Sequence, residues 1–169
     1  MSGFLQALPF TLEAEGGYTE DTGGRTMKGI TEKVFTKWLL DHHQPTRSIK
    51  TITDDEVQAI YHANYWVAAK CDALPWPHSM LHFDCAVNTG VGRATKILQA
   101  AVGVEPDGVW GPDTQHAVTT LDRVAFFNNL LWERLNFYYS LGQDEKYKPY
   151  FFGWFRRVIK LRVKGRASW

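Results

Sequence analysis

The run Glu15-Gly16-Gly17-Tyr18-Thr19-Glu20-Asp21-Thr22-Gly23-Gly24-Arg25-Thr26-Met27-Lys28-Gly29 constrains this chain more than any other segment. Glycine recurs through it, so no helix continues across it, whereas most of the remaining chain carries helical periodicity. Ahead of it, Phe4, Leu5, Leu8 and Leu12 recur at helical spacing and describe one buried helix face, which the pair Gly16-Gly17 stops. Beyond the pair, Thr19 to Gly29 reads as a short glycine-rich β-hairpin. Neighbouring side chains of a strand point to opposite faces, so Glu20 and Asp21 cannot both face a cleft.

The other elements are expected to be helices. Thr31 can cap one through Val34, Phe35, Trp38 and Leu39, which Asp41-His42-His43-Gln44-Pro45 ends. Thr53 with Glu56 forms a capping box for a helix carrying Val57, Ile60, Tyr61 and Tyr65. Leu74-Pro75-Trp76-Pro77 breaks the chain before a helix from about His78 to Val87. Gly90 and Gly92 separate that helix from one containing Ile97 and Leu98, with Gly103 as its stop. Pro112 suits the first turn of one long helix through Ala117, Leu121, Val124, Phe127, Leu131, Leu135 and Tyr138. A final helix is expected to start near Gly153. The fold class is therefore mainly α, of the α+β kind: a helical bundle with one small β-hairpin.

Glu15 is the candidate general acid. A carboxyl in the last helical turn faces the negative end of the helix dipole, and partial burial would disfavour its ionised form further. Cleavage of a glycosidic bond needs such a protonated acid, because the leaving oxygen must receive a proton. A second carboxyl, set farther away, can activate a water on the opposite face of the sugar. Asp21 is placed to supply it, or else simply caps the hairpin turn. Thr26, on the returning strand, either holds that water through its hydroxyl or is an ordinary strand residue.

The residues Glu15 to Thr31 resemble the glutamate-glycine-glycine motif of glycoside hydrolase family 108, the lysozyme-like muramidases of phage and prophage endolysins. Ile60-Tyr61 with Tyr65-Trp66, Cys71 to Pro75, and Phe83-Asp84-Cys85-Ala86-Val87-Asn88-Thr89-Gly90 are similar to that family as well. Gly103 to Pro112 and Gly153 to Val158 resemble its C-terminal peptidoglycan-binding part. The resemblance implies a lysozyme-like fold, with residues 1–92 as the catalytic part and 93–169 packed on it as one compact unit. It implies that Glu15 is the acid cutting the β-1,4 bond between N-acetylmuramic acid and N-acetylglucosamine. The spacing of Glu15, Asp21 and Thr26 is also similar to the triad of phage-type lysozymes, which invert the anomeric centre.

In a lysozyme-like architecture the hairpin forms one wall of the cleft and helices the other, so substrate contacts are expected at helix breaks. Asn88 precedes a glycine turn, and its amide can both donate to and accept from a sugar acetamido group, or it caps its helix. Asp84, one turn earlier on the same face, is expected to orient Asn88 or the hairpin. Tyr61, Tyr65 and Trp66 offer flat rings for stacking on sugars, although at helical spacing such rings also build cores. Asp107-Gly108-Val109-Trp110-Gly111-Pro112 is either a structural turn or a glycan contact.

At 169 residues and 44% apolar composition, the chain is long enough for one substantial core. Its formal net charge of +1 gives no reason to expect a nucleic acid partner. From Phe151 to Trp169, however, six bases stand with no acid, whereas residues 1–60 carry nine acids against six bases. That basic, aromatic tail could touch an anionic membrane or lipopolysaccharide, or be a packed helix with solvated bases. No apolar run is long enough to span a bilayer, and the first positive charge is Arg25, so no secretory signal is expected. A protein made in the cytoplasm and acting on the wall would then need another release route. Cys71 and Cys85 match no metal spacing and read as buried thiols, with a disulfide open after export. His78 and His82 stand four apart on a helix, but the metalloprotease pattern and a third ligand are missing. No metal or cofactor is expected, and a monomer is. The alternatives to a muramidase are a lytic transglycosylase and a catalytically inactive wall-binding or secretion-accessory protein.

Overall fold

The computed structural model describes residues 3–21 and 24–167, and of Asp21 only the backbone. Two compact units result: Leu8–Asn64, and Met1–Ala7 with Tyr65–Trp169. This division follows packing and differs from the 1–92 and 93–169 division drawn from sequence.

The first helix, α1 (Gly3–Glu15), begins in one unit and ends in the other. It ends at Glu15, where the glycine pair stops it. In the smaller unit a three-stranded antiparallel sheet follows: β1 (Tyr18–Asp21), β2 (Gly24–Met27) and β3 (Ile30–Thr31). The expected hairpin is thus present, and a third short strand extends it. Thr31 then caps α2 (Glu32–Asp41), accepting from the Val34 amide at 3.3 Å, and Phe35 and Leu39 are the buried face of that helix. Thr53 and Glu56 form a capping box on α3 (Asp54–Tyr61), satisfying two backbone donors that a helix start otherwise leaves open. A π-helical turn, His62–Val67, continues it.

In the larger unit, α4 (His78–Thr89) is buried over most of its length. Phe4, Trp66 and Phe83 meet edge to face with ring centroids 5.5–5.7 Å apart. Helix α5 (Val91–Val102) starts directly after Gly90 and ends at Gly103, which adopts the left-handed conformation as expected. Gly92 is no separator: it lies inside the first turn of α5. The single long helix expected from Pro112 is two helices, α6 (Pro112–Thr120) and α7 (Arg123–Leu141). Leu121 is extended between them, and the Asp122 carboxylate caps α7 by accepting from the Val124 and Ala125 amides at 3.0 and 2.9 Å. Apolar periodicity runs across this break, which hid it. The last helix, α8 (Lys148–Arg166), starts a turn earlier than Gly153, with Pro149 in its first turn.

Asp84 ties three of these helices together. It is fully buried on α4, and its carboxylate accepts from Arg157 of α8 at 2.8–3.1 Å and pairs with Arg134 of α7 at 2.8 Å. Burial alone would raise its pKa, but the two guanidiniums outweigh it and hold the carboxyl below its ordinary range. The two cysteines are free and buried, and burial pushes both thiols up. Among the described residues no helix is long and apolar enough to cross a membrane.

Candidate active site

The geometry begins with the turn that follows the hairpin. Lys28 and Gly29 both have positive φ, at 49° and 75°, and turn the chain from β2 into β3. This turn is held from beneath by Tyr61, whose hydroxyl donates to the Lys28 carbonyl at 2.8 Å, and by the Lys28–Asp54 ion pair. Gly29 lies against the end of α1. A Cβ placed on it would sit 3.1 Å from Oε2 of Glu15 and 2.5 Å from the hydroxyl of Tyr61. Only glycine fits there, so the Glu15 carboxylate, half-buried, rests on bare backbone beside a tyrosine hydroxyl.

On β2, Thr26 is half-buried and sits in register between Thr19 of β1 and Thr31 of β3. Directly opposed residues share a sheet face, so three threonines form one row. Asp21 pairs with Gly24 at the hairpin end, and its side chain lies outside the described residues. The neighbouring acid is accounted for: Glu20 accepts from the Tyr18 hydroxyl at 2.6 Å and from Arg25 at 3.1 Å. Those bonds, the tyrosine's foremost, keep its carboxyl below the ordinary range and unsuited to proton donation. The same unit has an open hollow of about 910 Å3 lined by Gly24, Arg25, Thr31, Glu32, Thr36 and Leu40, and neither Glu15 nor Thr26 lines it.

Glu15, Asp21, Thr26 and Tyr61 belong to the smaller unit, and Tyr65, Trp66 and Asn88 to the larger. Two of the expected sugar-stacking rings are not placed to stack. Tyr61 is 1% exposed and holds the Lys28 carbonyl. Trp66 is 2% exposed, packed on Phe4 and Phe83, and its indole donates to Asp72 at 2.8 Å. Burial leaves neither ring a face open to solvent of the size a sugar needs. Tyr65 and Asn88 are half-buried. The Asn88 carbonyl accepts from the Tyr138 hydroxyl, which in turn accepts from Arg134 at 2.9 Å. A chain of contacts thus joins Asp84 to Asn88 through Arg134 and Tyr138. His78 and His82 turn their Nε2 atoms to the Arg123 and Ala69 carbonyls.

The turn at Asp107-Gly108 is built around Gln99, which is buried. Its amide donates to Asp107, the Val109 carbonyl and Thr114, and accepts from the Gly108 amide. That arrangement is a structural turn.

A family model described as Glycosyl hydrolase 108 matches residues 8–90, and one described as Predicted Peptidoglycan domain matches residues 93–159. The solved structure of Brucella abortus SagA is similar to this chain with a TM-score of 0.80 and 32% sequence identity, over 97% of this chain and 94% of that one. The chain belongs to glycosyl hydrolase family 108. No curated protein matches it. As a family 108 member with a peptidoglycan domain, the chain is a glycoside hydrolase acting on peptidoglycan. Its mainly α, lysozyme-like fold is that of the family 108 neighbour. Within the peptidoglycan-domain match, α5 and α7 enclose a groove of about 420 Å3 lined by Arg93, Lys96, Glu133, Asn136, Phe137 and Ser140. The Arg93 guanidinium lies 5.1 Å from the Phe137 ring centre.

Sequence reasoning did not single out Gly29, Thr19, Arg134 or Tyr138. The hairpin register would have given Thr19, since pairing Tyr18 with Met27 places Thr19 opposite Thr26. No local signal marks Gly29 as the seat of Glu15, because the contact joins elements distant along the chain.

Proposed function

We propose that this protein is an N-acetylmuramidase that cuts the β-1,4 bond between N-acetylmuramic acid and N-acetylglucosamine by an inverting acid/base mechanism. The observation that carries the reading is Glu15, an acid at a helix end, seated on Gly29 in the same unit as the sheet that bears Asp21 and Thr26. Glu15 donates its proton to the leaving oxygen as the bond breaks. Asp21 takes a proton from a water that attacks the anomeric carbon from the opposite face, and Thr26 orients that water. Bond cleavage, water addition and the two proton transfers balance, leaving a reducing N-acetylmuramic acid end of α configuration. Tyr65 and Asn88 contact the sugars, with Asn88 reading an acetamido group. The groove between α5 and α7 adds a second contact with the wall, its mixed charges suited to the carboxylates and amides of peptidoglycan. We place its work in the periplasm or cell wall, as a monomer of the prophage endolysin kind, released by another protein after synthesis in the cytoplasm.

Mass spectrometry of purified peptidoglycan after digestion tests this. The native protein is expected to yield reducing N-acetylmuramic acid ends. Glu15→Gln should lower the rate by about 10²- to 10⁴-fold, the usual contribution of a general acid. Asp21→Ala should fall by a comparable factor. Anhydro ends would make it a transglycosylase, full activity of Asp21→Ala would remove the inverting mechanism, and no fragments from the native protein would leave a wall-binding protein.

A further inference from the structure

Helix α8 is apolar on two opposite faces, and only one of them is covered. The inward face carries Trp154, Val158, Leu161 and Gly165. Trp154 stacks on Tyr138 of α7 with ring centres 5.0 Å apart, and Val158, Leu161 and Gly165 are buried. A Cβ on Gly165 would lie 2.6 Å from the Phe127 ring, so the two helices meet there at backbone distance. Arg157 on this side is engaged with Asp84.

The outward face carries Phe152, Ile159 and Val163, at 78%, 52% and 66% exposure. At 3.6 residues per turn these three fall within an arc of about 40° and form a ridge about 16 Å long. Arg156, Lys160 and Lys164 border the ridge on one side, Arg162 and Arg166 on the other, and all five are exposed. No acidic residue occurs anywhere in α8. An apolar ridge hemmed by cations is poorly suited to water, and equally to a second copy of itself, since pairing would set the two rows of cations against each other. It is complementary to a surface that is apolar below and anionic at its edge.

We propose that the outer face of α8 docks on the surface of an anionic phospholipid bilayer, with Phe152, Ile159 and Val163 entering the boundary of the acyl region and the flanking bases meeting lipid phosphates. The helix lies along the surface and does not span it, in keeping with its charge. Membrane contact would hold a wall-cutting enzyme beside the glycan strands nearest the bilayer. The docking itself does not depend on which glycosidic bond the protein cuts.

Co-sedimentation of the full chain with vesicles tests it. Binding is expected to phosphatidylethanolamine vesicles containing phosphatidylglycerol and not to phosphatidylcholine alone, and to weaken as salt rises. The variant Phe152→Ser/Ile159→Ser/Val163→Ser should lose about tenfold or more in partitioning, since three apolar side chains no longer leave water. Its peptidoglycan digestion and melting should stay those of the native protein, which separates this outcome from failure of the muramidase reading. A second readout uses Ile159→Cys carrying an environment-sensitive fluorophore, whose emission should shift to the blue on the anionic vesicles. Equal binding by the triple variant, or an unshifted fluorophore on bound protein, would overturn the proposal in favour of charge adsorption alone. Absence of vesicle binding, with a native dimer that the triple variant makes monomeric, would overturn it in favour of self-association.

Discussion

Gly29 decides how Glu15 is held. With φ of 75° and no room for a methyl group between Glu15 and the Tyr61 hydroxyl, substitution at this position displaces the carboxylate directly. Gly29→Ala should lower the melting temperature by about 2–4 °C, the shift expected of roughly 1 kcal/mol in a chain of this size. On the proposed role of Glu15 as the acid, its hydrolysis rate should fall more steeply than such a loss of stability explains, by about tenfold or more, because a misplacement of about an ångström in a catalytic group is expensive. Melting curves and peptidoglycan turnover measured side by side check this, and a variant with native turnover would detach Gly29 from the site. That Glu15 ends α1 was legible in the sequence, because a helix run ending in an acid and two glycines is a local pattern. Gly29 as its seat was not, since the contact depends on how the turn between β2 and β3 meets the end of α1.

Helix boundaries show where local reading works and where it fails. The caps at Thr31 and Thr53 were legible because each is a bond between a side chain and a backbone donor three residues away. The break between α6 and α7 was missed although Asp122 is an equally local cap, because apolar spacing runs from Ala117 through Leu121 to Val124 and outweighed it. Asp122→Ala should therefore destabilise by about 1 kcal/mol and lower the melting temperature by about 2–4 °C. Calorimetry checks this, and Asp122→Asn, which retains the cap, should recover most of the loss. If both variants melt like the native protein, packing and not the cap sets the start of α7. Helix α8 began earlier than expected because Gly153, read as a start, is accommodated inside the helix.

For the whole molecule, buried titratable groups set the response to acid. His82 is 1% exposed, and burial pulls its pKa down from the ordinary 6.5 to about 4. Above 6.5 the residue is neutral in both folded and unfolded chains, and its share of stability is fully present. As pH falls from 6.5 to 4 the unfolded chain takes up the proton first, so stability is lost across that window and no further below it. The loss is at most about 3 kcal/mol. His78, lowered in the same direction, adds to it, and Asp84, held low by its arginines, contributes stability that disappears only at more acid pH. Urea unfolding of the native protein and of His82→Gln at neutral and mildly acid pH checks this: the variant should show a visibly shallower dependence, and an unchanged slope would assign the effect elsewhere. The sequence by itself determined the helical class, the glycine-stopped hairpin, the acid at the end of α1 and most caps, because each rests on interactions within a turn or a pair of adjacent strands. Only the tertiary structure decided which aromatic residues are core and which face water, turning Tyr61 and Trp66 inward and Phe152 outward at similar helical spacing. It alone paired Asp84 with an arginine 73 residues further on, for burial and long-range pairing depend on which surfaces meet, and no local spacing carries that information.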